Sequence, residues 1–197
     1  MGTNFKTAIL VLAAGASSRM NEIKQVLPYK DSTLLGNALK MAKMSKSAQV
    51  FCVLGANKDE IQQKVDFLDI EIIENKEWND GLGKSIAVGV ATIQKNSEYN
   101  SILVMLGDQP FITSRYLDKM ISKFNENQSP VIATNYSGKP GVPALFPHKN
   151  FSELIKISGD SGAKSILKNH ANIIKLEAEN TFDVDSPEDY KKLRSEV

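Results

Sequence analysis

The apolar positions along this chain change period repeatedly, and each change marks an element. Residues 8–12 are apolar without alternation, the pattern of a strand buried on both faces, and the strand is expected over 7–12. Leu34, Leu35, Ala38, Leu39, Met41 and Ala42 then recur at helical spacing behind a cap at Asp31 or Ser32. A second buried strand is expected at 50–54, and Gly55-Ala56-Asn57 turns out of it. Asp59 and Glu60 suit the first turn of the following helix, where acidic groups complement the dipole. A third strand covers 70–73, and a helix over 84–95 carries Ile86, Val90 and Ile93 on one face. A fourth strand covers 101–106, and a helix capped by Thr113 or Ser114 carries Leu117, Met120, Ile121 and Phe124.

Beyond Pro130 the alternation loosens. Strands are expected at 131–134 and 142–146, short helices near 149–157 and 162–169, a late strand at 173–176 and a closing helix at 187–195 with Pro at its first turn. Strands alternating with helices imply an α/β fold, a mainly parallel sheet covered on both faces. No repeat or linker divides the 197 residues, which read as one domain.

Composition narrows the classes without choosing among them. A formal net charge of +1 gives no reason to expect nucleic acid as a partner, and no apolar run reaches membrane-spanning length. Lys6 ahead of an apolar run superficially resembles a secretory signal, but small polar residues and Arg19 interrupt it, and a cytoplasmic protein is expected. Cys52, the single cysteine, lies in an apolar run and reads as a buried structural thiol.

Candidate chemistry begins where the first strand ends. Ala13-Ala14-Gly15-Ala16-Ser17-Ser18 holds no bulky side chain, and Gly15 can take a positive φ, so backbone amides can approach a ligand closely. Arg19 and Lys24 follow, and cations beside a nest of amides suit a triphosphate. Gly107-Asp108-Gln109-Pro110 directly follows the fourth strand and presents Asp108 at the sheet's rim, where a carboxylate can hold Mg²⁺. Asp183-Val184-Asp185 can aim two carboxylates at one ion if the segment is extended, and it also reads as the lead-in to a capped helix. Gly83-Lys84-Ser85 ends like a P-loop, yet Trp78 stands where that motif needs its first glycine. His148 and His170 match no metal or triad spacing and read as solvated helix residues.

Six segments in order carry a resemblance: Leu12-Ala13-Ala14-Gly15-x-Ser17-Ser18-Arg19-Met20 with Lys24-Gln25-x-Leu27-Pro28; Trp78-x-x-Gly81-Leu82-Gly83-Lys84-Ser85; Leu106-Gly107-Asp108-Gln109-Pro110; Gly141-x-Pro143; Gly159-Asp160-x-Gly162-Ala163-Lys164; and Asp183-Val184-Asp185-Ser186-Pro187. Together they resemble the molybdenum-cofactor nucleotidyltransferases, MobA/MocA-like NTP transferases, and most nearly their cytidylyltransferase branch. The resemblance implies a three-layer Rossmann-like nucleotidyltransferase fold, with residues 1–110 mainly serving the nucleotide and 111–197 mainly the acceptor. It implies transfer of CMP from CTP to molybdopterin-type cofactor, with pyrophosphate released and a molybdoenzyme or its chaperone as receiver. Leu12, Ala13, Ala14, Gly15, Ser17, Ser18, Arg19, Lys24, Gly81, Gly83, Ser85 and Asp108 then bind nucleotide, and Arg19, Lys24 and Asp108 are catalytic. Asp108 holds Mg²⁺ with Asp185 as first choice of partner and Asp183 as second, and Gly141, Pro143, Gly159 and Asp160 face the acceptor. Ala14, where the guanylyl branch tends to carry Gly, leans toward CTP. Asn21 replaces a usual Gly, and Val142 stands where many cytidylyltransferases of this type carry His, so the acceptor stays open. A sugar phosphate or other small phosphate is the alternative acceptor. A nucleotide-binding or cofactor-delivery protein without turnover is the alternative to an enzyme.

Overall fold

The computed structural model describes residues 5–96 and 98–196. One seven-stranded sheet runs through the molecule. Its strands are β1 (Thr7–Ala13), β4 (Gln49–Leu54), β5 (Ile70–Glu74), β6 (Ser101–Leu106), β7 (Val131–Tyr136), β8 (Lys139–Pro147) and β9 (Ile173–Leu176), in the spatial order β5-β4-β1-β6-β8-β7-β9. A two-stranded hairpin of β2 (Pro28–Tyr29) and β3 (Ser32–Thr33) stands apart from it. All sheet pairs are parallel except those of β8, which runs antiparallel to both β6 and β7.

The helices divide between the two faces because each buries one stripe. On one face α1 (Leu34–Lys43), α2 (Lys58–Lys64) and α4 (Ser114–Asn127) bury Leu35, Leu39, Ile61, Leu117, Ile121 and Phe124 against Ile9, Val11, Cys52 and Leu103. On the other face α3 (Leu82–Gln94), α5 (Phe151–Leu154) and α6 (Lys164–Asn169) bury Ile86, Val90, Phe151, Leu154 and Leu167 against Leu10, Val53 and Val104. Strand residues 8–12 thus fill both cores alternately, as the unbroken apolar run requires. Burying one such aliphatic side chain contributes about 1.5–3 kcal/mol.

A third, smaller cluster ties the two ends of the chain together. Leu27, Tyr29 and Leu34 pack with Val184 and with Leu193 of α7 (Pro187–Ser195). Ser186 caps α7 in a reciprocal capping box with Asp189, and Pro187 begins the helix.

Local differences from the sequence expectations have local causes. The α1 cap is Thr33, whose hydroxyl accepts from the Gly36 amide, because the β2–β3 hairpin runs on through Thr33 and the helix begins only at Leu34. Helix α3 begins at Leu82, two residues before the expected start. Gly15 does not take a positive φ; Ser17 does, at 57°. Residues 183–185 form no strand.

Candidate functional site

Strands β1, β4, β5, β6 and β7 all end at one edge of the sheet, and the reversed strand β8 begins there. A cleft of about 1260 Å³ opens at this edge, where ligands of open α/β sheets collect. Its volume exceeds the roughly 300–1,000 Å³ usual for one small molecule.

The loop after β1 forms one wall. Gln25, buried at 4% exposure, braces it from beneath. Its amide donates to the carbonyl oxygens of Ala13 (3.0 Å) and Gly15 (2.9 Å), and its own oxygen accepts from the Ser17 hydroxyl at 3.0 Å. The Ser17 hydroxyl also accepts from the Lys24 amide at 3.2 Å. Carbonyls are thereby turned to protein partners, while the amides of residues 15–18 donate to no acceptor among the described residues. Such a nest of free amides suits an anion.

Lys24 sits at the centre of the site. Its ammonium bonds a carboxylate oxygen of Asp108, and it lies 3.2 Å from Asp185 Oδ1 and 3.3 Å from the Val184 carbonyl. Arg19 reaches the same Asp185 oxygen at 3.1 Å. Burial by itself pushes the Lys24 ammonium down, but the Asp108 and Asp185 carboxylates outweigh it and hold it above the usual lysine range. The buried Oδ1 of Asp108 has no hydrogen-bond partner among the described residues.

Val184 explains why two acids flank this point without a strand. Its side chain is fully buried in the third cluster, and its amide donates to the Asp108 carbonyl at 3.1 Å. With Val184 turned inward, Asp183 and Asp185 both reach the cleft wall. Their partners differ. Asp185 shares Lys24 with Asp108, whereas Asp183 accepts from the buried Gln109 amide at 2.9 Å. Burial, with Asp108 and Asp185 nearby, pushes the Asp183 carboxyl up to about 6. Gln109 also reaches Tyr136 Oη at 3.0 Å and the Val142 carbonyl at 3.3 Å, tying the start of β8 to the loop after β6.

No group of three or more His, Cys, Asp or Glu side chains stands together as a metal cluster among the described residues. Asp108 and Asp185 nevertheless fit a hard divalent cation, since both already close on one cation and Asp108 keeps a buried oxygen free. Such ions are commonly held by one or two carboxylates with substrate phosphates and waters completing the shell.

The glycine-rich segments meet each other. Gly81 has φ 90°, and a Cβ on Gly83 would stand 2.7 Å from the Ser158 carbonyl carbon. The Gly83 amide donates to the Gly159 carbonyl at 2.8 Å. Gly81, Ser85 and Asp160 line the cleft; Gly83 instead packs on the Ser158 backbone, and Gly159 takes φ 73° in the turn that accepts its amide. Ser85 accepts from the Nδ2 of Asn75, itself 1% exposed, at 3.0 Å. Lys84 pairs with Glu77 at 2.5 Å and does not face the cleft, so the P-loop arrangement is absent here. Of the other expected residues, Leu12, Ala13, Ala14, Gly15, Ser17, Ser18, Arg19 and Gly141 line the cleft. Pro143 lies beneath it, its carbonyl accepting from Thr134. His148 and His170 lie outside it, His148 against the Phe151 ring and His170 beside Asn150.

Four cleft-building residues receive no role from the sequence, although Gln25 and Gln109 fall inside the motif segments. Gln25, Asn75 and Gln109 act through amides that only the folded chain aligns, and Tyr136 sits at a strand end where an aromatic reads as core. Trp78 lines the cleft at 37% exposure, packed down onto Gly55, whose missing side chain makes room for it. No helix among the described residues is long and apolar enough to cross a membrane.

A profile of the MobA-like NTP transferase domain matches residues 9–173. Molybdenum cofactor cytidylyltransferase of Escherichia coli (strain K12) is 26% identical over 184 residues, 92% of either chain. Nicotine blue oxidoreductase of Paenarthrobacter nicotinovorans is 27% identical over 174 residues, covering 85% of this chain and 84% of that one. The crystal structure of Rv0371c from Mycobacterium tuberculosis H37Rv in complex with manganese superposes with a TM-score of 0.83 at 25% identity, covering 98% of this chain and 100% of that one. With the β1 loop, Lys24, Asp108 and more than four-fifths of its length inside the match to one profile, the chain belongs to the MobA-like NTP transferase family and is a nucleotidyltransferase.

Proposed function

We propose that this nucleotidyltransferase moves CMP from CTP to the phosphate of a molybdopterin-type cofactor and releases pyrophosphate. The observation that carries the reading is Lys24 held between Asp108 and Asp185 beside the open amides of residues 15–18. The match to a cytidylyltransferase over 92% of the chain, and Ala14 in the loop, support CTP and this acceptor. A molybdoenzyme or its chaperone would receive the product.

The chemistry follows from the charges. An oxygen of the acceptor phosphate forms a bond to the α-phosphorus, the α–β bridging P–O bond breaks, and pyrophosphate leaves with the electron pair. A phosphate monoester is already an oxyanion near neutral pH, so no general base is required. Catalysis is then in-line positioning plus neutralisation of charge on the leaving group. The free amides of 15–18 bind phosphate oxygens, and Arg19 and Lys24 neutralise the departing pyrophosphate. Asp108 and Asp185 would hold Mg²⁺, which supplies Lewis-acid neutralisation of phosphate oxygens when bound.

Pyrophosphate release tests the proposal, measured with CTP, GTP, ATP and UTP, each with Mg²⁺ and with or without molybdenum cofactor. Release that requires both CTP and the cofactor is the expected outcome. Release with a sugar phosphate in place of the cofactor would reassign the acceptor. Nucleotide binding with no release from any pair would reject the transferase.

A further inference from the structure

Beyond Arg19 and Lys24, the cleft lining carries three further lysines. Lys139 lies at the start of β8, and Lys164 and Lys168 stand four residues apart on one face of α6. All three line the cleft. None has an ion-pair partner among the described residues, although Lys24, Lys40, Lys43, Lys58, Lys64 and Lys84 do. Among the described cleft-lining residues from 136 to 168, Asp160 is the one carboxylate, and Asp183 is turned to Gln109. Three unpaired cations against one anion leave this side of the cleft positive.

The triphosphate already has its complement in Arg19, Lys24 and the amides of 15–18. A phosphate at the point of attack lies near Lys24 as well, because it must reach the α-phosphorus. The three lysines therefore face the remainder of the acceptor.

We infer that the acceptor is anionic at two ends, with a phosphate monoester at the point of attack and a second anionic group held by Lys139, Lys164 and Lys168. This rests on the nucleotidyl-transfer reading and narrows its substrate class: a small phosphate ester with no second charge would leave these lysines idle.

Two probes of equal chain length test it, n-butyl phosphate and butane-1,4-diol bisphosphate. Their binding is measured by calorimetry, with and without CTP, on the wild type and on a K139A/K164A/K168A variant whose folding is checked by thermal melting. A K164A/K168A variant serves as a second test should the triple variant melt early. The bisphosphate should bind the wild type at least about tenfold more tightly than the monophosphate, the scale of one added charge-assisted contact. That preference should weaken with salt and disappear in the variants, while their affinity for CTP stays that of the wild type. Equal binding of the two probes to the wild type, or a preference kept in the variants, would overturn the inference. So would a parallel loss of CTP affinity, which would assign the lysines to the nucleotide. Absence of pyrophosphate release with the probe preference intact would reject the transferase reading and leave the two-ended anion site standing.

Discussion

Lys24 holds two carboxylates that lie 84 and 161 residues away in the chain, and it does so largely out of water. Removing it has two separable effects. The Lys24→Ala variant should lose turnover by roughly 10²-fold, the scale of one transition-state donor, read as pyrophosphate release from the folded variant. It should also leave Asp108 buried without a counter-charge, so its urea midpoint should fall. Lys84 is the contrasting case. It completes a Gly-Lys-Ser triplet, yet its ammonium is committed to Glu77 at the surface. Lys84→Ala should leave stability within about 0.5 kcal/mol, as surface substitutions do, and leave CTP affinity unchanged by calorimetry. Which lysine faces the cleft was legible from motif order at 12–24, whereas Gly-Lys-Ser alone pointed the other way. The amides of Gln25, Asn75 and Gln109 were not legible, because their partners are backbone and side-chain atoms brought close only by folding.

At the scale of elements, the site is an assembly of strand ends, and its least regular member needs its own anchor. Residues 183–185 have no ladder to hold them; they are held by the Val184 side chain in the third cluster and by its amide on Asp108. Val184→Ala should cost about 1.5–3 kcal/mol in denaturant unfolding, the worth of a buried aliphatic side chain, and should lower turnover by loosening Asp185. A Val184→Ile variant, which keeps the branched apolar side chain and adds one methylene, should retain more of both than Val184→Ala does. Gly83→Ala should destabilise by about 1–3 kcal/mol, because its Cβ has only the Ser158 backbone to meet. The alternating periods made most strands and helices legible, since burial on one or two faces writes itself into apolar spacing. The β2–β3 hairpin was not, because two residues per strand leave no period to read.

Across the whole molecule, one cleft edge gathers residues from Leu12 to Asp185, and the protein carries a reporter there. Trp78 is the only tryptophan, half open to the cleft. CTP should change its emission in a saturable way, and a Trp78→Phe variant should be silent while calorimetry still detects CTP. Cys52, by contrast, is fully buried, and burial pushes its thiol up. It should react with a disulfide reagent at pH 8 only after denaturation, with a rate set by unfolding. The parallel half of the sheet was legible from its continuous apolar runs, whereas the reversal of β8 was not, because a fully buried strand reads the same in either direction.

That reversal has a consequence for how such a chain can diversify. Because β8 enters the sheet from the opposite end, its first residues and the β7–β8 turn project from the same edge as the β1 loop, yet belong to a separate stretch of chain. On the proposed reading, two cassettes sharing one chassis would read the two ligands. Exchanging residues 136–142 and helix α6 would then retarget the acceptor while the triphosphate grip proposed for residues 12–25 is inherited unaltered.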